Sequence, residues 1–293
     1  MPLPRLALAV IGDEIGPSVD EMISFCAENG VKRLDMRTVD GKNLMNLPLA
    51  DVAAIGVKLE KAGIRVPTFV SPTLKWAAKG KEAAAGKVDF AFDPALCPSE
   101  DVLVHACDVA TALGATELRI FSHLRYPGFK SDDLLQVIER LMDLSGRHMV
   151  TMHLENEPVC NLGTVAELAH FFSELPDLLA LADIHALPIL PLVDIGNSWG
   201  MGVPPSDADI ATLAPIVRMI HLKDRDMTAK RTVPLGDGDI PWAEELKRLL
   251  AGVEAREVRA SIETHCPQDG RNATARSVAA LRRIAGEIGV EVV

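Results

Sequence analysis

The sequence holds few cysteines, and none of them is spaced for metal binding or redox chemistry. Five occur in 293 residues, an odd number, and no pair forms a C-x-x-C motif. This usage argues against a disulfide framework and against a cysteine zinc site, and it favours reduced thiols in the cytoplasm. The five are Cys26, Cys97, Cys107, Cys160 and Cys266.

Basic charge is also scarce, and no apolar run is long enough to cross a membrane. The 41 acidic residues outnumber the 30 lysines and arginines, which gives a net charge of −11. Nucleic-acid phosphates and anionic lipids both require concentrated positive charge, so neither partner is expected. The opening MPLPRLALAVIG carries too short an apolar stretch for a signal peptide or a membrane span. We therefore expect a cytoplasmic protein that does not act at a membrane.

A third absence is the dinucleotide-binding fingerprint. The first predicted strand-to-helix turn, VIGDEIGPS, contains no G-x-G-x-x-G, so an open nucleotide-binding sheet loses its main support. The chain instead alternates short β-rich runs, such as VKRLDMR, IRVPTFVSP and TELRIFSHL, with longer stretches whose apolar residues recur at helical spacing. Eight such units follow one another without a linker. They predict an α/β fold with a single domain, a (β/α)8 TIM barrel over residues 1–293.

Each of four consecutive predicted strands ends in a residue of a type that can bind a metal ion. Units five to eight end in HLENEP, LVDIGN, IHLKD and SIETH, which supply Glu155, Asp194, His221 and Glu263. The carboxyl ends of barrel strands meet at one face, so these side chains are expected to converge. Three carboxylates in a partly desolvated pocket repel one another, and one divalent cation would resolve the conflict. The oxygen-rich donor set favours Mn²⁺, with Mg²⁺, Co²⁺ or Zn²⁺ as alternatives.

Strand periodicity extends the prediction to neighbours of these four residues. Side chains two positions beyond a ligand point the same way, nearer the barrel mouth, where a substrate would lie. These side chains are Glu157, Lys223 and His265. For Lys223 the sequence supports two interpretations equally, a contact with the substrate and a solvated lysine at the strand end. The same rule places His153 one tier below Glu155, in the core, and turns Asp224 away from the pore to anchor a loop.

The motifs LENEP, LVDIGN, IHLKD, LGDGDIPW and IETH occur in this order in a known group of enzymes. In these motifs the chain resembles the xylose isomerase-like TIM barrels of sugar isomerases and epimerases, over essentially its whole length. The resemblance implies a metal ion held by the four residues named above, with Glu155 and Glu263 also acting on protons. Epimerase-like members often carry a substrate-contacting histidine three residues after the strand-six aspartate. Asn197 stands there in this chain; we expect it to contact the substrate, whose identity is left open.

These observations lead to the hypothesis of a metal-dependent isomerase or epimerase acting on a sugar or keto-polyol. Glu155 or Glu263 would remove the proton α to a carbonyl, and the other glutamate would return it. The metal ion and Lys223 would stabilise the enediolate that forms between these two steps.

Other functions stay open at this point. A dehydratase or lyase on a keto-sugar or inosose would use the same metal site, with His265 or His123 protonating the departing hydroxyl. A non-catalytic sugar-binding barrel is less well supported, because it needs no pair of glutamates. An apurinic-site endonuclease would need more histidines than the eight present. The expected partner is a small-molecule carbohydrate; the oligomeric state, a homo-oligomer included, and the role of the basic loop 72–92 are left open.

Overall fold

Eight parallel strands form the centre of the structure, a computed structural model that describes residues 2–84, 91–181 and 189–293. In chain order the strands are β1 (Arg5–Ile11), β2 (Leu34–Asp35), β3 (Thr68–Phe69), β4 (Glu117–Ile120), β5 (Thr151–Glu155), β6 (Ile189–Asp194), β7 (Met219–Leu222) and β8 (Glu257–Ile262).

The strands pair in sequence order and curl into a nearly closed barrel. β1 pairs with both β2 and β8, and parallel pairing continues from β8 through β7, β6, β5 and β4 to β3. Between β2 and β3, two isolated parallel bridges join Arg33 to Arg65 and Met36 to Phe69. The predicted α/β TIM barrel is confirmed.

Helices follow the strands and cover the barrel. They are α1 (Val19–Asn29), α2 (Leu49–Lys61), α3 (Val102–Leu113), α4 (Leu135–His148), α5 (Val165–Leu181), α6 (Ile195–Gly200), α7 (Asp207–Leu213), α8 (Trp242–Ala251) and α9 (Gly270–Glu287). α1 begins at a capping box on Ser18 and ends at Gly30, whose φ of 62° continues the chain in the left-handed region, as expected of this glycine. Among the described residues, no helix has the length and apolar character that crossing a membrane requires.

Much of the barrel interior is polar. Apolar side chains of strands and helices pack together in the core outside the sheet. Inside, where branched apolar residues usually dominate, buried polar side chains include Asp35, Thr68, Arg119, His153 and Ser261. Beyond β7, Asp224–Asp226 pairs antiparallel with Arg231–Val233 over the mouth. Residues 85–90 of the loop 72–92 lie outside the described residues.

Candidate metal and active site

The four predicted metal ligands lie together at the carboxyl ends of β5 to β8. One ligand atom from each lies within 4.8 Å of the other three, and each residue is at most 2% exposed. His221 Nδ1 is 3.1 Å from Glu155 Oε1 and 3.5 Å from Glu263 Oε2. Glu155 and Asp194 end their strands and Glu263 directly follows β8, so the strand ends themselves aim these side chains at one point.

Two buried arginines hold the glutamates, and the sequence reasoning missed both. Arg119 of β4 donates from Nη1 to Glu155 Oε2 at 3.2 Å. Arg37 donates from Nη1 to Glu263 Oε1 at 3.1 Å and from Nη2 to Glu14 Oε1 at 3.0 Å. A signal was present in the sequence, since in LDMR and ELRI each arginine alternates with apolar residues within a predicted strand. An arginine in such a segment requires a buried partner.

Lys223 contacts two of the four predicted ligands. Its Nζ lies 2.9 Å from Asp194 Oδ2 and 2.6 Å from Glu263 Oε2, and the residue is 2% exposed. The alternative of a solvated strand-end lysine is therefore wrong. The ammonium group belongs to the charged cluster itself and faces the space between β6 and β8.

Burial and neighbouring charges shift the pKa values of the residues in the cluster. Burial disfavours ionised Glu155, but His221 and Arg119 outweigh it and lower the pKa of Glu155 to about 2. Burial also disfavours protonated His221, but Glu155 and Glu263 raise its pKa to about 10. For Asp194, burial prevails over the neighbouring lysine, and with repulsion from both glutamates it raises the pKa to about 6. At neutral pH the carboxylates are thus in the form that binds metal ions and accepts protons.

The residues present fit a divalent metal ion. Asp194 Oδ2 and Glu263 Oε2 are buried and have no hydrogen-bond partner in the described part of the chain, although both form ion pairs with Lys223. The described cluster has five carboxylates and three lysine or arginine cations; His221, whose raised pKa keeps it protonated without a metal ion, reduces the excess to one negative charge, and a metal ion that displaces this proton would face an excess of two. The carboxylates are Asp13, Glu14, Glu155, Asp194 and Glu263, and the cations are Arg37, Arg119 and Lys223. The sequence analysis expected a metal ion alone to neutralise the carboxylates. This expectation is corrected, because the basic residues neutralise part of their charge.

Glu157 and His265, predicted above the metal tier, lie at the partly exposed side of the site. Glu157 Oε1 is 3.5 Å from Lys75 Nζ, and the Glu157 side chain is 16% exposed. His265 Nε2 is 3.1 Å from Glu263 Oε1, and its side chain is 29% exposed. A cavity of about 540 Å³ opens beside this histidine, and Glu14 and Arg37 also line it. The four predicted ligands are not among the residues that line this cavity, and His265, which contacts Glu263, lies between the two.

Asn197 and His123 make contacts of a different kind. The backbone N–H of Asn197 donates to Asp194 Oδ1 at 2.8 Å, and its side-chain amide donates to the carbonyl oxygen of Asn156, also at 2.8 Å. Asn197 therefore braces a predicted metal ligand. His123 lies with Nδ1 3.2 Å from the Trp76 carbonyl oxygen, and burial lowers its pKa. The structure gives no contact between His123 and the four ligands.

Two further expectations concern residues outside the ligand set. Asp224 accepts hydrogen bonds from the backbone N–H groups of Arg225, Gly236, Gly238 and Ile240, so its predicted loop-anchoring role is confirmed. His153 is buried, lies 3.3 Å from Glu117 and is absent from the described metal-ligand clusters, as predicted for a core histidine.

Comparison with known proteins agrees with this architecture. The family model described as xylose isomerase-like TIM barrel matches residues 23–284. No curated protein sequence matches the chain. Among solved structures, the chain spans 43% of the length of a xylose isomerase-like TIM barrel/4-hydroxyphenylpyruvate dioxygenase fusion protein, with a TM-score of 0.68 and 14% identity over 97% of this chain.

Three solved structures of similar length share the fold. The IolI protein, solved with a bound zinc atom, has a TM-score of 0.69 and 13% identity, covering 97% of this chain and 99% of that one. A D-allulose 3-epimerase from Methylomonas sp. has a TM-score of 0.66 and 16% identity, covering 97% and 100%. The probable 3-DHS dehydratase AsbF from Bacillus anthracis has a TM-score of 0.62 and 14% identity, covering 94% and 98%.

Identities this low establish a common fold and leave the activity to be argued from the site. The family model, in contrast, spans nearly the whole chain. The chain belongs to the xylose isomerase-like TIM barrel family.

Proposed function

We propose that the protein is a metal-dependent isomerase or epimerase that moves a proton α to the carbonyl of a sugar or keto-polyol. One observation carries the proposal. Glu155 and Glu263 lie on strands separated by β6 and β7, their carboxylates face the same point, and a different buried arginine holds each of them. Return of the proton to the opposite face requires a second group on that face, and two carboxylates can also carry the proton to a neighbouring carbon.

The predicted ligands would hold one divalent ion. We favour Mn²⁺ because three of the four donors are carboxylates, and the zinc bound in the IolI structure keeps Zn²⁺ as an alternative. When bound, the ion supplies a Lewis acid that polarises the substrate carbonyl and orients a neighbouring hydroxyl. The ligands would be Glu155, Asp194, His221 and Glu263.

The arginines orient the two carboxylates. Arg119 binds Glu155 Oε2, so Oε1 faces His221. Arg37 binds Glu263 Oε1, so Oε2 faces His221 and Lys223. Fixed in this way, one carboxylate takes the α proton and the other delivers a proton. Lys223, whose ammonium group is buried beside Glu263 Oε2, stabilises negative charge as it develops on the substrate oxygen.

Polar residues at the mouth would bind the rest of the substrate. We assign direct contacts to His265 and Glu157, which are partly exposed beside the site, and to His123. Asn197 would act on substrate binding through Asp194, because its two hydrogen bonds are used within the fold. A carbohydrate offers the hydroxyl groups that such donors and acceptors recognise.

A dehydratase is the second candidate, and His265 favours it. Its Nε2 lies 3.1 Å from Glu263 Oε1 on the open side of the site, where it could protonate a hydroxyl group that departs after Glu263 has taken the α proton. Product mass separates the two reactions, because isomerisation conserves mass and dehydration removes one water.

The test is exchange of solvent deuterium into ketoses and inososes by the metal-loaded enzyme. Glu263→Gln keeps an oxygen ligand but removes the base, so we expect exchange to fall by about 10²–10⁴-fold. Glu287→Gln, on the exposed surface of α9, is the matched control and should exchange at the wild-type rate. Full turnover by Glu263→Gln on a substrate of the wild-type enzyme would refute the two-glutamate mechanism.

A further inference from the structure

Below the metal tier, the barrel contains buried polar atoms that lack hydrogen-bond partners. Both carboxylate oxygens of Asp35, Ser261 Oγ and His221 Nε2 are buried and unpartnered within the described residues. Asp35, Ser261 and His221 are fully buried, with no exposed surface. Folded proteins rarely leave buried polar groups unsatisfied, and an ordered water or ion is a common partner. The concentration of such atoms in one place indicates a function.

Strand register brings these three residues into one neighbourhood. Ser261 of β8 is the direct partner of His221 of β7 on one side and of Ala9 of β1 on the other. Asp35 of β2 pairs with Ile11, two residues beyond Ala9 on the same face of β1. Because Ala9 has only a methyl group, the Asp35 side chain can extend across β1 toward Ser261.

The electrostatics of Asp35 agree with this placement. Burial raises the pKa of Asp35, and Arg259, Ser261 and His221 lower it in part. Arg259 directs its own hydrogen bonds to Glu117 and Thr68. The Asp35 carboxylate thus remains available for a bridging donor from the direction of Ser261 and His221.

A metal-binding imidazole needs a partner on its second nitrogen. His221 presents Nδ1 to Glu155 and Glu263, so Nδ1 is the atom that would bind the metal ion. A neutral imidazole then carries its proton on Nε2, and an acceptor for that proton fixes both the tautomer and the ring orientation.

On this basis, and resting on the proposed metal site, we propose that Asp35 is the positioning residue for His221. An ordered water, also hydrogen-bonded to Ser261 Oγ, accepts a hydrogen bond from the His221 Nε2–H group and donates one to the Asp35 carboxylate. Asp35 thereby directs the lone pair of Nδ1 at the metal ion without touching either the ion or the substrate.

The test measures Zn²⁺ affinity by chelator competition, together with the urea midpoint of the metal-free protein. Asp35→Leu should weaken Zn²⁺ binding by about 10–100-fold, the usual effect of losing such a partner. Asp35→Asn keeps an acceptor and should fall between this variant and wild type. The metal-free Asp35→Leu protein should keep a urea midpoint close to that of wild type, because Asp35 has no hydrogen bond among the described residues and Arg259 keeps its partner Glu117.

The control and the outcomes keep this inference separate from the proposed function. His105→Gln alters a buried histidine of α3 that contacts the Met45 carbonyl oxygen, and it should leave Zn²⁺ affinity unchanged. Wild-type Zn²⁺ affinity in Asp35→Leu would overturn the role of Asp35 and leave the metal site intact. If Asp35→Leu weakens Zn²⁺ binding and also lowers the urea midpoint of the metal-free protein, Asp35 has a merely structural role, which also overturns the proposal. Failure of the wild-type protein to bind Zn²⁺ would instead refute the metal site itself.

Discussion

At the scale of single residues, buried charges in this protein are held in place by particular partners. Arg119 is the clearest case: besides Glu155, it donates from Nε and Nη2 to the carbonyl oxygen of Ser71. These bonds join the end of β3 to β4 and fix the orientation of a proposed catalytic carboxylate. Charge pairing of this kind serves positioning, because a buried ion pair contributes little net stability relative to apolar residues.

Removing one partner of that pair should be costly. Arg119→Met removes the donor to Glu155 Oε2 and to the Ser71 carbonyl oxygen, so we expect the metal-free protein to lose about 3–5 kcal/mol of unfolding free energy in urea. Arg5→Met breaks the exposed pair with Glu257 and should cost less than about 1 kcal/mol. Similar losses in the two variants would contradict the burial argument.

The lowered pKa of Glu117 predicts that the folded protein loses stability in acid. Burial disfavours the ionised form of Glu117, but His153 and Arg259 outweigh burial and lower the pKa from 4.5 to about 2. Because the folded-state pKa is depressed, this stabilisation is present above pH 4.5 and is lost as the pH falls toward 2. The full effect is about 3 kcal/mol. Urea titrations of the metal-free protein should show this loss, and Glu117→Gln should flatten it; an unchanged slope in that variant would be inconsistent with the assignment.

Residue-scale chemistry was only partly predictable from the sequence. The four predicted ligands could be identified because they end successive strands, where the fold itself makes them converge. Arg37 and Arg119 were missed because strand alternation says which way a side chain points but not how far a long one reaches. Asn197 was expected to bind substrate, but its hydrogen bond to Asn156 depends on how α6 leaves β6.

At the scale of elements, the contact between α6 and β7 sets the geometry of the site. Asp194 caps α6 by accepting the N–H of Asn197, and Gly196 lies directly against Lys223. A Cβ atom on Gly196 would lie 2.5 Å from Lys223 Cγ and would also meet the Lys223 carbonyl oxygen. This glycine therefore allows the helix to bring one proposed ligand and one cation together.

Gly196→Ala should move α6 away from β7. Overpacking of this kind costs about 1–3 kcal/mol, and we also expect weaker metal binding because Asp194 and Lys223 are displaced. Gly146→Ala, in α4 with no atom within 4 Å of the added methyl group, should instead stabilise the protein by about 0.5–1 kcal/mol. Calorimetric Zn²⁺ titrations and urea unfolding of both variants test this, and wild-type binding and stability in Gly196→Ala would rule out the close contact as a determinant.

Element boundaries were less predictable than element types. The segments VKRLDMR and IRVPTFVSP were correctly predicted as strands, yet only Leu34–Asp35 and Thr68–Phe69 are strand. Their flanking residues leave the ladder: Thr38–Val39 turns back to pair with Lys42–Asn43. Sequence periodicity shows which segments suit a strand, but the length of a ladder depends on where the neighbouring strand lies.

At the scale of the whole molecule, regular alternation of strands and helices made the fold predictable. Eight βα units dictate a barrel, and a barrel dictates that strand ends meet, so fold and site position follow from the same pattern. The polar interior did not follow from it. Its buried charged residues come from different strands and meet only after the sheet has closed; examples are Asp35, Glu117, His153 and Arg259.

Anomalous X-ray scattering from crystals of the manganese-loaded protein tests the central claim most directly. We predict a single strong peak per chain, about 2.0–2.3 Å from one atom each of Glu155, Asp194, His221 and Glu263. Crystals of Asp194→Asn, loaded in the same way, should show the peak weakened or lost. No peak in the wild-type protein, or a peak away from these four side chains, would contradict a metal site at the carboxyl end of the barrel.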